Sequence, residues 1–137
     1  MKIFVDTNIL LDVFLERKPH CDYSIKIWDI AENRMAEAFV SAISFNNIYY
    51  ILNKYQGREC ARRSLEVLNA NFSIVPLDKG IMEKAISSPM PDFEDAIQLF
   101  SALSSRADCI VTRDCKDFPQ DSIPILSPQA FLAQFNL

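Results

Sequence analysis

Three groups of carboxylates in this sequence have the type and spacing to do chemistry. Asp6 directly follows the apolar run Ile3-Phe4-Val5. Asp92 and Asp95 bracket the start of a helix-like run. Asp114 ends Thr112-Arg113-Asp114, directly after the apolar run Cys109-Ile110-Val111. Acidic residues just past the ends of buried strands gather at one edge of a parallel sheet, where open α/β sheets place their ligand crevice. Carboxylates that converge there repel one another unless protons or a cation neutralise them. An all-oxygen donor set suits Mg²⁺ or Mn²⁺. Each residue also has a plainer reading. Asp6 is a good helix N-cap. Asp92 with Asp95 resembles a capping pair. Asp114 and Asp117 are ordinary turn residues. Independent caps do not account for three such clusters falling at strand ends or a helix start. Asp92 and Asp95 also share one helix face, so both carboxylates reach the same ligand.

The elements that must position these residues are legible in the pattern. Strands are predicted at residues 2–5, 38–41, 72–75 and 109–112, with a short edge strand at 123–126 where Pro124 is tolerated. Helices are predicted at residues 8–16, 20–33, 44–55, 58–69, 78–87, 92–106 and 127–135. Their inward residues are read as Ile25, Trp28 and Ala31 or Ile30 in the second helix and Ile48, Ile51, Leu52 and Tyr55 in the third. In the sixth they are Ala96, Leu99, Phe100 and Leu103. Asp78 and Ser127 are expected N-caps, with Pro128 at the first helical position. Small residues at Ala96 and Ala102 allow the sixth helix to approach the sheet closely. Alternating strands and helices imply a three-layer α/β/α sandwich around a mostly parallel sheet of four to five strands.

Composition narrows the function classes. The 137 residues fit one domain spanning 1–137, and half of them are hydrophobic, enough for a sizeable core. Only two glycines occur, with no G-x-G-x-x-G or Walker A pattern, which argues against nucleotide-binding loops. The net charge of −4 disfavours nucleic-acid binding by bulk electrostatics, although bound divalent ions offset part of it. The four cysteines form no C-x-x-C and His20 is the single histidine, so a zinc site is not expected. Cys109 reads as a small core hydrophobe. A strand-like run directly after Met1 leaves no room for a signal peptide, and no apolar stretch reaches membrane-span length. The expectation is a reduced, cytoplasmic protein with no membrane partner.

The motifs resemble those of the PIN domain family. Val5-Asp6-Thr7-Asn8-Ile9-Leu10-Leu11-Asp12 is similar to its opening. Asp92-Phe93-Glu94-Asp95-Ala96-Ile97-Gln98 is similar to its central motif, in the subgroup with D-F-E-D. Ile110-Val111-Thr112-Arg113-Asp114-Cys115-Lys116-Asp117-Phe118 is similar to its final motif. The resemblance implies a metal-dependent nuclease fold, and many small bacterial members are VapC-type toxins that cleave RNA. It assigns Asp6, Asp95 and Asp114 to metal binding, together with Asp92. Asn8, Thr112 and Asp117 take supporting positions. It also implies a homodimer and a small antitoxin partner. One departure stands out. The family's usual S-x-x-E reads Ser44-Phe45-Asn46-Asn47 here, so Asn47, a neutral oxygen donor, replaces a Glu, and Asp92 is expected to compensate.

The chemistry expected is phosphodiester hydrolysis by metal-activated water. Arg58 and Arg62, one helical turn apart, and Arg113 with Lys116 and Arg17-Lys18, are candidate RNA contacts. Charged helix faces are otherwise solvated surface. Tyr49, Tyr50 and Tyr55 are expected in the core or a dimer interface, with base stacking as the alternative. Two other readings stand beside the nuclease. One is a catalytically impaired PIN domain that binds nucleic acid or protein, supported by Asn47. The other is a phosphoacceptor domain, which would need an acidic neighbour beside Asp6 and a lysine where Asp114 stands.

Overall fold

The computed structural model describes residues 1–135. Its centre is a five-stranded, wholly parallel sheet in the order β3-β2-β1-β4-β5. The strands are β1 (Lys2–Val5), β2 (Glu37–Ser41), β3 (Ser73–Val75), β4 (Cys109–Val111) and β5 (Ile125–Leu126). The helices are α1 (Thr7–Phe14), α2 (Cys21–Glu32), α3 (Ala42–Gln56), α4 (Arg58–Asn71), α5 (Lys79–Ser87), α6 (Phe93–Ser104) and α7 (Pro128–Phe135). The α/β/α sandwich is therefore present, with β5 as a short edge strand.

Period-two alternation divides the core between the two faces of the sheet. Ile3, Val5, Cys109 and Val111 join the apolar cluster that includes Ile9 and Leu10 of α1, Ile27 of α2, Ile48 and Leu52 of α3, Leu68 of α4 and Phe131 of α7. Phe4 and Ile110 point the other way, into the cluster with Ile81 of α5 and Ala96, Ile97 and Ala102 of α6. Central strands buried on both faces read as continuous apolar runs, as parallel sheets require.

Several boundaries and facings differ from expectation. Helix α3 begins at Ala42 with Ser41 as its cap, and Ser44 is a buried residue inside it. Ile25, Tyr55 and Leu103 are exposed, and Ile27 takes the inward position of α2. Tyr50 is 70% exposed, so neither it nor Tyr55 packs in the core; Tyr49 is half-buried against it. The predicted caps Asp78 and Ser127 accept from the backbone N–H of Ile81 and Ala130. Cys109 is buried in the core, and burial raises its thiol pKa to about 11. Among the described residues, no helix is long and apolar enough to cross a membrane.

Candidate active site

The sheet order makes β1 and β4 neighbours although more than a hundred residues separate them. Their registration, Val5 opposite Val111, puts Asp6 and Thr112 side by side at the carboxyl edge. The Asp6 backbone N–H continues the ladder to the Val111 carbonyl at 3.0 Å. Connections leave β1 and β4 at this edge, the topological switch point of an open sheet. A cleft of about 620 Å³ opens there, and its wall brings together Asp6, Asp92, Glu94, Asp95 and Asp114.

Asp6 combines both readings of its sequence position. As N-cap of α1 its Oδ1 accepts from the Thr7 N–H at 2.7 Å. Its Oδ2 accepts from the Thr112 hydroxyl at 2.8 Å. Both donors are neutral and the residue is buried, so desolvation dominates and raises its pKa to about 6, with Glu94 and Asp114 adding repulsion. The Thr112 oxygen also accepts from the Asp114 backbone N–H at 3.1 Å, which bends the chain after β4 back toward Asp6. Asn8 Nδ2 donates to Asp114 Oδ2 at 2.9 Å. Facing a carboxylate, the amide must present its NH₂ group, which fixes its orientation and leaves Asn8 Oδ1 buried without a partner.

The third cluster comes from α6. Asp92 caps this helix by accepting from the Asp95 N–H at 3.3 Å. Asp95, half-buried, has its pKa raised to about 7, first by desolvation and then by repulsion from Asp92 and Asp6. Asp117 lies in the short 3₁₀ turn Cys115–Asp117, exposed and outside the cleft wall, though its charge adds to the repulsion on Asp95. Asn47 lines the cleft as expected. However, the carboxylate against it belongs to Glu94, whose Oε1 accepts from Asn47 Nδ2 at 2.7 Å. Asp92 lines the same cleft from the helix cap, whereas Glu94 sits inside the first turn and contacts α3. Burial raises the Glu94 pKa, and Asn47 opposes that rise.

Beneath the carboxylates lies a buried polar knot. Gln98 Nε2 donates to Thr7 Oγ1 at 2.8 Å and to Ser44 Oγ at 3.2 Å, and those two hydroxyls are 2.7 Å apart. It ties α1, α3 and α6 together at the depth where their first turns converge. Gln98 Oε1 is buried without a partner, so the network is only partly satisfied.

Of the expected RNA contacts, Arg113 lines the cleft and Arg17 joins it, whereas Arg58, Arg62 and Lys116 are exposed elsewhere. Sequence reasoning gave no role to Glu94, Gln98 or Asp12. Glu94 had a signal, as one of three acids in four residues. Gln98 had only its place on the apolar side of α6.

The donors are all oxygen, which suits a hard divalent cation in kind. The orphaned Asn8 Oδ1 adds a neutral oxygen to the carboxylates. Among the described residues, no three Asp, Glu, His or Cys side chains are gathered tightly enough to enclose an ion.

A parallel α/β sandwich with this acidic cleft at its switch point defines the class, and the comparisons supply the family. The chain matches the PIN domain over residues 2–116, and it belongs to the PIN domain family. It is 29% identical over 140 residues to Ribonuclease VapC1 of Aquifex aeolicus (strain VF5), covering 98% of this chain and 96% of that protein. Its fold is similar to that of a toxin-antitoxin complex from Klebsiella pneumoniae, with a TM-score of 0.68 and 23% identity over 92% of this chain and 97% of that one. It is also similar to Mycobacterium tuberculosis VapC20, described as a sarcin-ricin loop cleaving toxin. That TM-score is 0.64 at 14% identity, covering 87% of this chain and 91% of that one.

Proposed function

We propose that this chain is a divalent-metal-dependent endoribonuclease, the toxin of a toxin–antitoxin pair. The observation that carries the reading is Asp6: a buried carboxylate at a strand end, held by neutral donors and facing Asp95 and Asp114 across one cleft. The names of the relatives, a ribonuclease and an RNA-cleaving toxin, support the substrate class.

The proposed ion is Mg²⁺ or Mn²⁺, held by Asp6, Asp95 and Asp114, with Asp92 and Glu94 on the far wall. When bound, such an ion acidifies water and stabilises charge on a phosphate. The chain's own residues prepare the place. Thr112 and the Thr7 N–H fix both oxygens of Asp6, so that its carboxylate keeps one orientation. Asn8 holds one oxygen of Asp114. Asn47 draws Glu94 into the wall, which returns to this cleft the negative charge that Asn47 itself lacks. His20 takes no part in this wall. The reading implies a cytoplasmic protein, a small antitoxin and a second copy of the chain as partners.

The test is cleavage of single-stranded and structured RNAs in Mg²⁺, Mn²⁺ or EDTA, comparing wild type with Asp95→Asn. Cleavage is expected with metal, and is expected to vanish in EDTA and in the variant. A folded, metal-loaded wild type that binds these RNAs and cuts none of them would leave a binding module in place of the nuclease.

A further inference from the structure

Asp12 ends the opening motif, yet it is absent from the wall of the acidic cleft and is fully buried. Its Oδ1 accepts from Arg17 Nε at 2.9 Å and its Oδ2 from the Ser24 hydroxyl at 3.3 Å. Arg113 Nε stands 2.7 Å from the same Oδ2, an ion-pair contact whose angle is too oblique for a hydrogen bond. Arg17 Nη2 also donates to the Asn8 carbonyl at 3.3 Å. One carboxylate therefore holds two guanidiniums, and the trio keeps one positive charge in excess. Both arginines emerge partly exposed on the wall of the acidic cleft. Arg17 is held by a hydrogen bond from its Nε, and Arg113 by the ion-pair contact alone. Among the described residues, the Nη atoms of Arg113 make no hydrogen bond.

We propose that Asp12 sets Arg17 and Arg113 as a two-guanidinium phosphate subsite, which receives a backbone phosphate of the strand next to the one that is cut. A purely structural ion cluster would need only one arginine to neutralise Asp12. The second leaves charge at the mouth of a cleft whose other wall is negative. Guanidinium forks match phosphate oxygens, and a fork anchored at Nε loses little freedom when it binds. Such a contact places the strand without reading its bases. The proposal rests on RNA being the substrate. It makes Arg17 and Arg113 binding residues and Asp12 a positioning residue.

The experiment measures binding of short single-stranded RNAs of random sequence in EDTA, which keeps the strand intact, across a salt series. Wild type is compared with Arg17→Gln, Arg113→Gln and Asp12→Asn, with melting curves for each. Each arginine variant is expected to bind about tenfold more weakly, the scale of a charge-assisted hydrogen bond. Each should also lower the slope of log K against log salt by about 0.7. Asp12→Asn adds positive charge, so a diffuse basic surface would bind RNA more tightly. A positioned pair binds more weakly, with the wild-type slope. Arginine variants that match wild type, or a folded Asp12→Asn that binds more tightly, would overturn the subsite while leaving the nuclease intact. Should Asp12→Asn fail to fold, the two arginine variants decide. A wild type that neither binds nor cuts RNA removes the nuclease reading and this inference with it.

Discussion

Asp6 caps one short helix and Asp12 lies within it, and the protein treats these two buried carboxylates in opposite ways. Asp12 receives two arginines and a serine hydroxyl. Asp6 receives a backbone N–H and a threonine hydroxyl, with no cation, and repulsive neighbours raise its pKa further beyond the effect of burial. Burying a charge is costly unless it is paired. The fold pairs the one it uses as an anchor and leaves the other to be balanced by a proton or an added cation. Such an unbalanced group is a common mark of a functional site.

Neutralising each carboxylate in turn tests this contrast most severely. Asp6→Asn keeps a good N-cap and relieves repulsion, so it should hold or raise the melting temperature. It should lower metal-dependent cleavage by about 10²-fold or more, the scale of losing one electrostatic stabiliser. Asp12→Asn should instead destabilise the fold by about 3 kcal/mol, because two guanidiniums lose their counterion. Denaturation curves and cleavage rates on both variants check the pair. Loss of stability in Asp6→Asn equal to that in Asp12→Asn would collapse the distinction.

The next test is pH. The folded pKa of Asp6, about 6, lies above its ordinary value. Between those values the folded state holds more protons than the unfolded state, so this contribution is present at low pH and is lost as pH rises through about 6. A displacement of that size is worth on the order of 3 kcal/mol. Asp95, raised to about 7, acts in the same direction. In EDTA the site's contribution should therefore fall from about pH 4, near the ordinary carboxylate value of 3.8, to about pH 7, the higher of the two raised values. Added Mg²⁺ should raise the melting temperature more at the higher pH. Cleavage should rise with pH and level off above about 7, as the carboxylates ionise. A melting temperature in which Mg²⁺ has the same effect across that range would contradict the assignment.

The smallest effect is expected at the far wall. Glu94→Gln keeps the contact with Asn47 but removes the charge. It should raise the Mg²⁺ concentration needed for half-maximal cleavage by about tenfold, the usual scale for a residue supporting a metal site. An unchanged metal requirement would make Glu94 a purely structural neighbour of Asn47.

Much of this was legible in the sequence, for definite reasons. The strands around Phe4 and Ile110 are apolar runs because both faces of the sheet are covered, and the carboxylates sit where those runs stop. Helix facing was less legible. Trp28, Ile30, Ala31, Ala96 and Leu99 are buried as the spacing predicts, but Ile25 and Leu103 are exposed and Ile27 and Ile97 are buried as well. Spacing alone does not choose between neighbouring apolar residues. Arg58 and Arg62 cluster in sequence yet lie away from the cleft. Arg17 and Arg113 are far apart in sequence, and a carboxylate that carried no outward sign of burial brings them together. Gln98 was hidden for the same reason: its partners Thr7 and Ser44 belong to two other helices.

The pairing of β1 with β4 also has a consequence in time. Asp6 meets Thr112 across 106 residues of chain. Synthesis from the amino end makes Asp6 almost at once, then Asn47, Glu94 and Asp95, and last Thr112 and Asp114. Until that final stretch exists, Asp6 lacks the Thr112 hydroxyl and the Asp114 charge, and β1 lacks its neighbour on one side. A half-made chain thus carries no assembled cleft, and the site comes into being only when its last-made strand docks beside its first.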